Sequence, residues 1–172
     1  MRKSELGRPR TLVKVMAFSF LLYTCFTFAF SEIPALEVQF LGSTNTVFVA
    51  EIASDEDSRA MGLMYRTHLP GCSGMWFDFG SPRVVAMWMR DTFVPLDIFF
   101  IGKDLSVLAI FENANPLSES LIESPPGTQY VLEINAGEAF ENNLAVGQRV
   151  TVGPRGNLAS FTLRSTCNET GL

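Results

Sequence analysis

The chain has 172 residues, which is enough for one domain of ordinary size and too short for two. Hydrophobic residues make up 47% of it and charged residues 18%, a mixture that excludes a disordered chain and a multi-span membrane protein. The formal net charge is −5, but the two ends of the chain differ in charge.

The N-terminal segment has the pattern of a secretory signal. Residues 1–14 hold five basic residues and one acidic residue, and the sixteen residues 15–30 are uncharged. A basic stretch before an apolar one is typical of a signal peptide, and this apolar stretch is shorter than the ~20 residues of a membrane span. Ala29 and Ser31 are small residues at the −3 and −1 positions for a cut after Ser31. We therefore expect residues 1–31 to be a signal peptide. An uncleaved anchor is the alternative, and it would be the protein's link to a membrane.

Removal of this segment leaves a strongly acidic domain. Residues 32–172 hold 8 Lys and Arg against 17 Asp and Glu, a formal net charge of −9. Such a domain repels phosphate backbones, so nucleic acid is not an expected partner. We expect residues 32–172 to form a single periplasmic or secreted domain with a flexible C-terminal tail.

Two cysteines, Cys72 and Cys167, lie outside the signal segment. In an oxidising compartment two such thiols often pair, and Cys167 lies on a tail that can reach Cys72. The sequence leaves two possibilities open, a Cys72–Cys167 disulfide or two free thiols, because it does not give the Cα separation that a bond requires.

The first predicted elements are a hairpin and a helix. Residues 36–40 (LEVQF) and 46–53 (TVFVAEIA) are rich in β-branched and aromatic residues and are separated by the turn sequence GSTN. Residues 54–57 (SDED) then predict the start of a helix, with Ser54 as its cap and Asp57 at the capping-box position.

The rest of the chain predicts further strands and one more helix. Gly80-Ser81-Pro82 predicts a turn between two of the strands, and Gly137 to Leu144 predicts the second short helix. The predicted strands comprise residues 73–79, 83–89, 95–102, 105–113, 129–136, a strand from Val150, and 161–164. This order predicts an α+β fold that is predominantly β, a small antiparallel barrel or sandwich with two short helices.

Several kinds of catalytic site are excluded by composition. His68 is the only histidine, so a His-rich metal site and a serine or cysteine hydrolase that uses another histidine are ruled out. His68 lies between a predicted helix and a loop, which favours a surface position. The sequence contains no phosphate-binding loop and no dinucleotide-binding fingerprint. We expect no cofactor.

The Met87-Trp88-Met89 sequence raises the question of a Cu(I) site, because thioethers are soft ligands. On a strand, however, Met87 and Met89 share one face and Trp88 points to the other. A core filled with methionine side chains is therefore the better interpretation, and we expect no metal.

Three carboxylates lie inside apolar stretches and are the strongest candidates for a site. They are Asp97 in VPLDIFFI, Glu112 in AIFENA and Glu133 in YVLEINA. A carboxylate between large apolar residues is costly unless it is paired or faces water. Arg59 and Arg66, seven residues apart on the predicted helix, are the available partners. For Asp97 we expect Arg66 as the partner, with Arg59 or the backbone N–H groups around Thr92 as substitutes. Such a cluster of arginines and carboxylates would either bind a polar ligand or stabilise the fold.

Six sequence blocks follow one another along the chain: GLMYR (62–66), GMWF (74–77), MWMRDT (87–92), VPLDIFF (94–100), ENANP (112–116) and YVLEINAG (130–137). In this order they resemble the signatures of the DUF192 (UPF0127) family, an uncharacterised group of exported bacterial domains. The resemblance extends from about Val47 to Val152, and the chain differs from the family pattern at Asp91 and Cys72. The resemblance implies a small β-rich α+β domain and no assigned activity, cofactor or catalytic residue.

These observations favour non-catalytic binding of a small polar or carbohydrate-like ligand, or of an envelope protein. The expected pocket residues are Arg66, Trp88, Asp97 and Glu133, with Glu112 and Arg59 as further candidates. The alternatives are a carboxylate-driven hydrolase, in which Asp97 and Glu112 or Glu133 act as an acid–base pair, and a purely structural envelope domain.

Overall fold

A computed structural model describes residues 34–42 and 46–155. The described chain is predominantly β, with two short helices, α1 and α2. The elements in chain order are β1 (Ala35–Phe40), β2 (Val47–Ala53), α1 (Glu56–Met61), β3 (Ser73–Arg83), β4 (Ala86–Met87), β5 (Leu96–Gly102), β6 (Val107–Ala114), β7 (Ile122–Glu123), β8 (Thr128–Asn135), α2 (Glu138–Glu141) and β9 (Val150–Pro154).

Seven strands form one mixed sheet in the order β6-β5-β8-β3-β2-β1-β9, and β4 pairs with β7 in a small second sheet. Neighbouring strands of the large sheet are antiparallel except β2 and β3, which are parallel. A parallel pair requires a crossover connection, and here α1 and the loop after it supply it. The α+β, predominantly β class is confirmed, although the sheet is mixed and does not close into an antiparallel barrel.

The large sheet is strongly curved. Strands β1 and β5 are four positions apart, which would separate them by ~19 Å in a flat sheet. Nevertheless, the rings of Phe40 on β1 and Phe99 on β5 have centroids only 5.2 Å apart. An isolated bridge between Ser106 and Arg149 also brings the starts of the two edge strands together. The curved sheet therefore encloses a hydrophobic cluster on its concave face. This cluster contains Phe40 and Phe99, and we call it the inner cluster.

The other face carries a second cluster, the outer cluster, which includes Leu63, Phe77, Met87 and Phe100. Side chains alternate between faces, so Phe99 belongs to the inner cluster and Phe100 to the outer one. All seven residues of β5 are buried for this reason. The apolar residues at both parities of the sequence LDIFFIG correctly indicated that neither face of this strand is solvated.

Helix α1 begins one residue later than the sequence predicted. Its cap is Asp55 rather than Ser54: the Ser58 N–H donates to Asp55 Oδ1 at 2.9 Å, and Ser58 Oγ accepts from the Asp55 N–H at 3.2 Å. Serine therefore completes the capping box, in place of the expected acid. The helix ends at Met61, so Arg66 lies beyond it and does not share a helical stripe with Arg59.

The predicted turn at Gly80-Ser81-Pro82 is wrong. Strand β3 continues to Arg83, which pairs with Thr128, and an irregularity between Asp78 and Arg83 accommodates the extra residues. The Gly80 N–H donates to Asp78 Oδ1 at 2.7 Å, which closes this bulge locally. Residues 161–164, the last predicted strand, lie outside the described residues.

No helix in the described part of the chain is both long enough and apolar enough to span a membrane. The predicted signal peptide or anchor, residues 1–31, lies outside that part. The choice between cleavage and anchoring therefore stays a prediction.

Candidate functional site

A pocket of about 290 Å³ opens on the outer face of the sheet. Helix α1 and the residues after it form one side, β3 and β8 form the floor, and residues 86–92 form the other side. This volume lies at the lower end of the range for small-molecule sites. The polar side chains that line the pocket are those of Glu56, Arg59, Thr92 and Glu133.

Glu133 is the central polar group of this pocket. It lies on β8, where its backbone pairs with Met75 on β3 and with Ile98 on β5. Its side chain therefore projects from the middle of the sheet, on the same face as Val131 in the outer cluster. The sheet and its apolar neighbours leave only 4% of the residue exposed.

The carboxyl group of Glu133 has no hydrogen-bond or ion-pair partner among the described residues. Burial raises its pKa from the ordinary value of 4.5 to about 8. A carboxyl group in apolar surroundings keeps its proton because the charged form loses its hydration. Near neutral pH this group is therefore mostly uncharged, and its polar atoms face the pocket unpaired.

The pocket walls are aromatic and thioether side chains. Phe77 and Phe79 alternate with residues of the inner face on β3, and so they lie on the same outer face as Met75, the cross-strand neighbour of Glu133. Gly62, at the end of α1, has a φ of 50°, and a Cβ at that position would lie 3.4 Å from the Phe77 ring. A glycine there permits the backbone conformation, whereas a Cβ would make only an ordinary van der Waals contact with the ring.

Two arginines beside the pocket are held by other groups. Arg59 donates from one nitrogen to the carbonyl oxygens of Ser54 and Asp78, and its guanidinium lies 5.4 Å from the centroid of the Phe79 ring. Arg90 stacks on Trp88 at 3.9 Å. Each cation therefore forms a fixed part of the wall or rim.

Arg66 is not brought to the pocket. It forms a bidentate ion pair with Glu51 on β2, with nitrogen–oxygen distances of 2.6 and 2.5 Å. These hydrogen bonds raise the pKa of Arg66 above its ordinary value. The expected pairing of Arg66 with Asp97 is wrong, because Glu51 is its partner.

Asp97 is buried, as expected, but it projects from the opposite face of the sheet. Its Oδ1 accepts from the N–H of Asn113 at 2.9 Å, and its Oδ2 accepts from the N–H groups of Gly137 and Ala139 at 2.9 and 3.0 Å. These three backbone donors replace the arginine and the Thr92 amide that the sequence suggested. Asp97 therefore fixes the start of α2 to β5 and β6 and does not line the pocket.

Two further candidates are resolved by position. Glu112 is exposed on β6, away from the pocket. Cys72 is disulfide-bonded, and its N–H donates to Glu138 Oε1 at 2.9 Å. Cys167 lies outside the described residues, so the Cys72–Cys167 pairing stays a prediction.

Of the six sequence candidates, Arg59, Trp88 and Glu133 come together in the pocket, while Arg66, Asp97 and Glu112 do not. Met87 and Met89 are both buried in the outer cluster and Trp88 is 39% exposed, which confirms the alternation inferred from MWM. His68 is exposed, as expected.

Sequence reasoning missed the residues that form most of the wall. Phe77 and Phe79 were interpreted only as strand residues, and Met61 and Met64 as core methionines. The available signal was the shared parity of Met75, Phe77 and Phe79 on β3. It indicates one apolar face, but it does not show that Glu133 lies beside that face.

No group of three or more His, Cys, Asp or Glu with the geometry of a metal site occurs in residues 34–42 and 46–155.

No curated protein matches the chain. Two crystal structures do. One is a candidate transcription regulator from Sinorhizobium meliloti 1021, at 38% identity and a TM-score of 0.65, over 69% of this chain and 92% of that one. The other is a protein of unknown function from Novosphingobium aromaticivorans DSM 12444, at 36% identity and a TM-score of 0.67, over 72% of this chain and 89% of that one.

The family comparison agrees with the resemblance found in the sequence. Residues 38–152 match the model of DUF192, a family described as "Uncharacterized ACR". These residues include both helices and most of the sheet that carries Glu133. The chain therefore belongs to the DUF192 family.

Proposed function

We propose that this domain binds a small polar ligand in the pocket above Glu133 and performs no chemistry on it. The observation that carries the proposal is Glu133, a residue 4% exposed at the floor of a pocket, whose carboxyl group has no partner among the described residues. A buried polar group without a partner lowers stability by about 1–3 kcal/mol. A ligand that supplies the missing partner recovers this cost, and such a group is therefore suited to recognition.

Binding is favoured over catalysis by what surrounds Glu133. The other two carboxylates that the sequence offered for an acid–base pair, Asp97 and Glu112, lie elsewhere. Asp97 accepts three backbone N–H groups on the other face of the sheet, and Glu112 is exposed on β6. Arg59 is engaged with two carbonyl oxygens. A few polar groups among aromatic and thioether side chains are the usual composition of a binding pocket.

The cellular setting is part of the proposal. Residues 1–31 would direct export, so the ligand would be met in the periplasm or outside the cell. An envelope protein is the alternative partner. The net charge of −9 on residues 32–172 argues against nucleic acid, even though one similar structure is described as a candidate transcription regulator.

A thermal-shift screen of small metabolites against residues 32–172 tests this proposal. Ala86 is exposed and lines the pocket, so Ala86→Trp should fill the pocket and remove the melting shift caused by a bound compound. Ala145 is exposed and distant from the pocket lining, so Ala145→Trp is the matched control and should retain the shift. Equal shifts in both variants, or no shift with any compound, would overturn the proposal.

A hydrolase is the second candidate, and one observation favours it. Glu56 also lines the pocket, and burial raises the pKa of Glu133 to about 8, which suits a general acid. In that case Glu133→Gln and Glu56→Gln should each abolish turnover of a chromogenic glycoside or ester. Turnover that neither substitution affects would remove this candidate.

A further inference from the structure

Glu133 restricts the chemistry of the ligand more narrowly than a polar pocket alone would. Its carboxyl is more than nine-tenths buried, points into the pocket and lacks a partner among the described residues. The group that would satisfy both of its oxygens is a compact cation with several N–H donors, since charge-assisted hydrogen bonds are about twice as strong as neutral ones.

We propose that the pocket binds a small organic monocation, a primary amine on an apolar or aromatic body, whose ammonium group pairs with the Glu133 carboxylate. This inference rests on the proposed function and specifies its ligand class. Three features of the pocket support it: the balance of its charges, the nature of its walls and the small number of uncharged polar side chains among its described lining residues.

The charges of the pocket match a single positive charge. Its charged lining residues are Glu56, Arg59 and Glu133. Arg59 offsets Glu56, and its guanidinium is already bonded to two carbonyl oxygens and stacked on Phe79. An ionised Glu133 therefore leaves the pocket with one uncompensated negative charge, which an ammonium ion neutralises.

The walls suit an ammonium group on an apolar body. Phe77, Phe79 and Trp88 line the pocket, and aromatic faces attract cations as well as apolar groups. Arg59 over Phe79 and Arg90 over Trp88 are examples of that attraction in this domain. A sugar fits less well, because each of its hydroxyl groups would need a partner, and among the uncharged side chains that line the pocket in the described part of the chain only Thr92 and the indole N–H of Trp88 can form hydrogen bonds.

Binding of such a cation must release a proton. The neutral Glu133 carboxyl loses its proton to solvent, and the resulting carboxylate pairs with the ammonium group, which keeps its own protons. The charged groups facing Glu133 are Glu56 and Arg59 on α1. Other charged groups nearby are the Glu51–Arg66 pair in the same cross-strand row, Arg83 over the Phe79 ring and Arg90 over the Trp88 ring.

Burial raises the pKa of Glu133 to about 8, so near neutral pH ligand binding displaces its proton. The affinity for a cation should therefore rise roughly tenfold per pH unit from about pH 6 to about pH 8. A neutral ligand that accepts a hydrogen bond from the carboxyl should show no such rise.

Three matched compounds test the inference by calorimetry on residues 32–172: 2-phenylethylamine, 2-phenylethanol and 3-phenylpropanoate. We expect the amine to bind most tightly, to strengthen with pH as stated and to release close to one proton, measured in buffers of different ionisation enthalpy. Glu133→Gln should weaken amine binding at least about tenfold at pH 8, and the exposed Glu112→Gln should leave it unchanged.

Two results would overturn the inference and can be told apart from failure of the proposed function. If the alcohol or the acid binds as well as the amine, the pocket binds ligands but does not select a cation. If none of the three binds and the metabolite screen yields only neutral or anionic compounds, the cation is likewise refuted. Absence of any ligand in that screen refutes the proposed function itself.

Discussion

Asp97→Asn should destabilise the domain although it preserves the shape of the side chain. The Asp97 carboxylate is 0% exposed and accepts three backbone N–H groups, one on Oδ1 and two on Oδ2. An amide offers one acceptor oxygen. In its better orientation it keeps the bonds from Gly137 and Ala139, and its NH₂ group then faces the N–H of Asn113.

That substitution replaces charge-assisted hydrogen bonds, worth about 1.5–3 kcal/mol each, with weaker ones and strands at least one buried donor. We expect a loss of about 2–4 kcal/mol in the free energy of unfolding. Urea unfolding measures it through the midpoint, with the slope as a check on two-state behaviour. Hydrogen exchange at Asn113 and Ala139 should accelerate as well.

The matched control is Glu112→Gln, which also neutralises an acid but is exposed on the neighbouring strand. It should change stability by less than about 0.5 kcal/mol. An Asp97→Asn midpoint equal to that of the wild type would refute the structural role. Unchanged stability together with lost ligand binding would instead assign Asp97 to a functional site, as one interpretation of the sequence proposed.

Three further predictions concern other charged groups and the cysteines. The pKa of Glu133 is about 8 in the folded protein and has the ordinary value of 4.5 in the unfolded chain. Between these two pH values the folded protein keeps a proton that the unfolded chain releases. The free energy of unfolding should therefore fall by roughly 4–5 kcal/mol as the pH rises from about 4.5 to about 8. Glu133→Gln should remove that fall, and urea midpoints that decline equally with pH in both proteins would contradict it. Arg66→Met should cost about 1 kcal/mol by breaking the half-exposed pair with Glu51, and ligand binding by the pocket should not change in calorimetry. If Cys72 pairs with Cys167, thiol titration of the denatured, unreduced exported protein should find no free thiol. Reduction of the bond should then lower the free energy of unfolding by roughly 3–5 kcal/mol. Two free thiols would disprove the pairing.

The sequence predicted the elements better than their connections. The strand at residues 95–102 was evident because apolar residues occupy both parities, and it is the fully buried β5. The turn predicted at Gly80-Ser81-Pro82 does not occur. Glycine and proline also occur in bulges, and the pairing of Arg83 with Thr128 keeps these residues in β3.

The burial of the site carboxylates was predictable from the sequence, but their positions on the sheet and their partners were not. A carboxylate in an apolar stretch indicates burial, and both Asp97 and Glu133 are buried. Local sequence does not show which face of the sheet each one occupies or what lies opposite. The partners of Asp97 are Asn113, Gly137 and Ala139, which are 16 to 42 residues away, whereas Glu133 has no partner within residues 34–42 and 46–155.

The most direct test of the account is the titration of Glu133 itself. The carboxyl carbon shift of this residue, followed by NMR from about pH 4 to about pH 10 with Glu133→Gln for assignment, should give an apparent pKa near 8 in the free protein. Addition of saturating 2-phenylethylamine should shift that midpoint to lower pH, because the bound cation stabilises the carboxylate. A midpoint near the ordinary value of 4.5 in the free protein would show a solvated or paired carboxyl and would contradict the pocket as described.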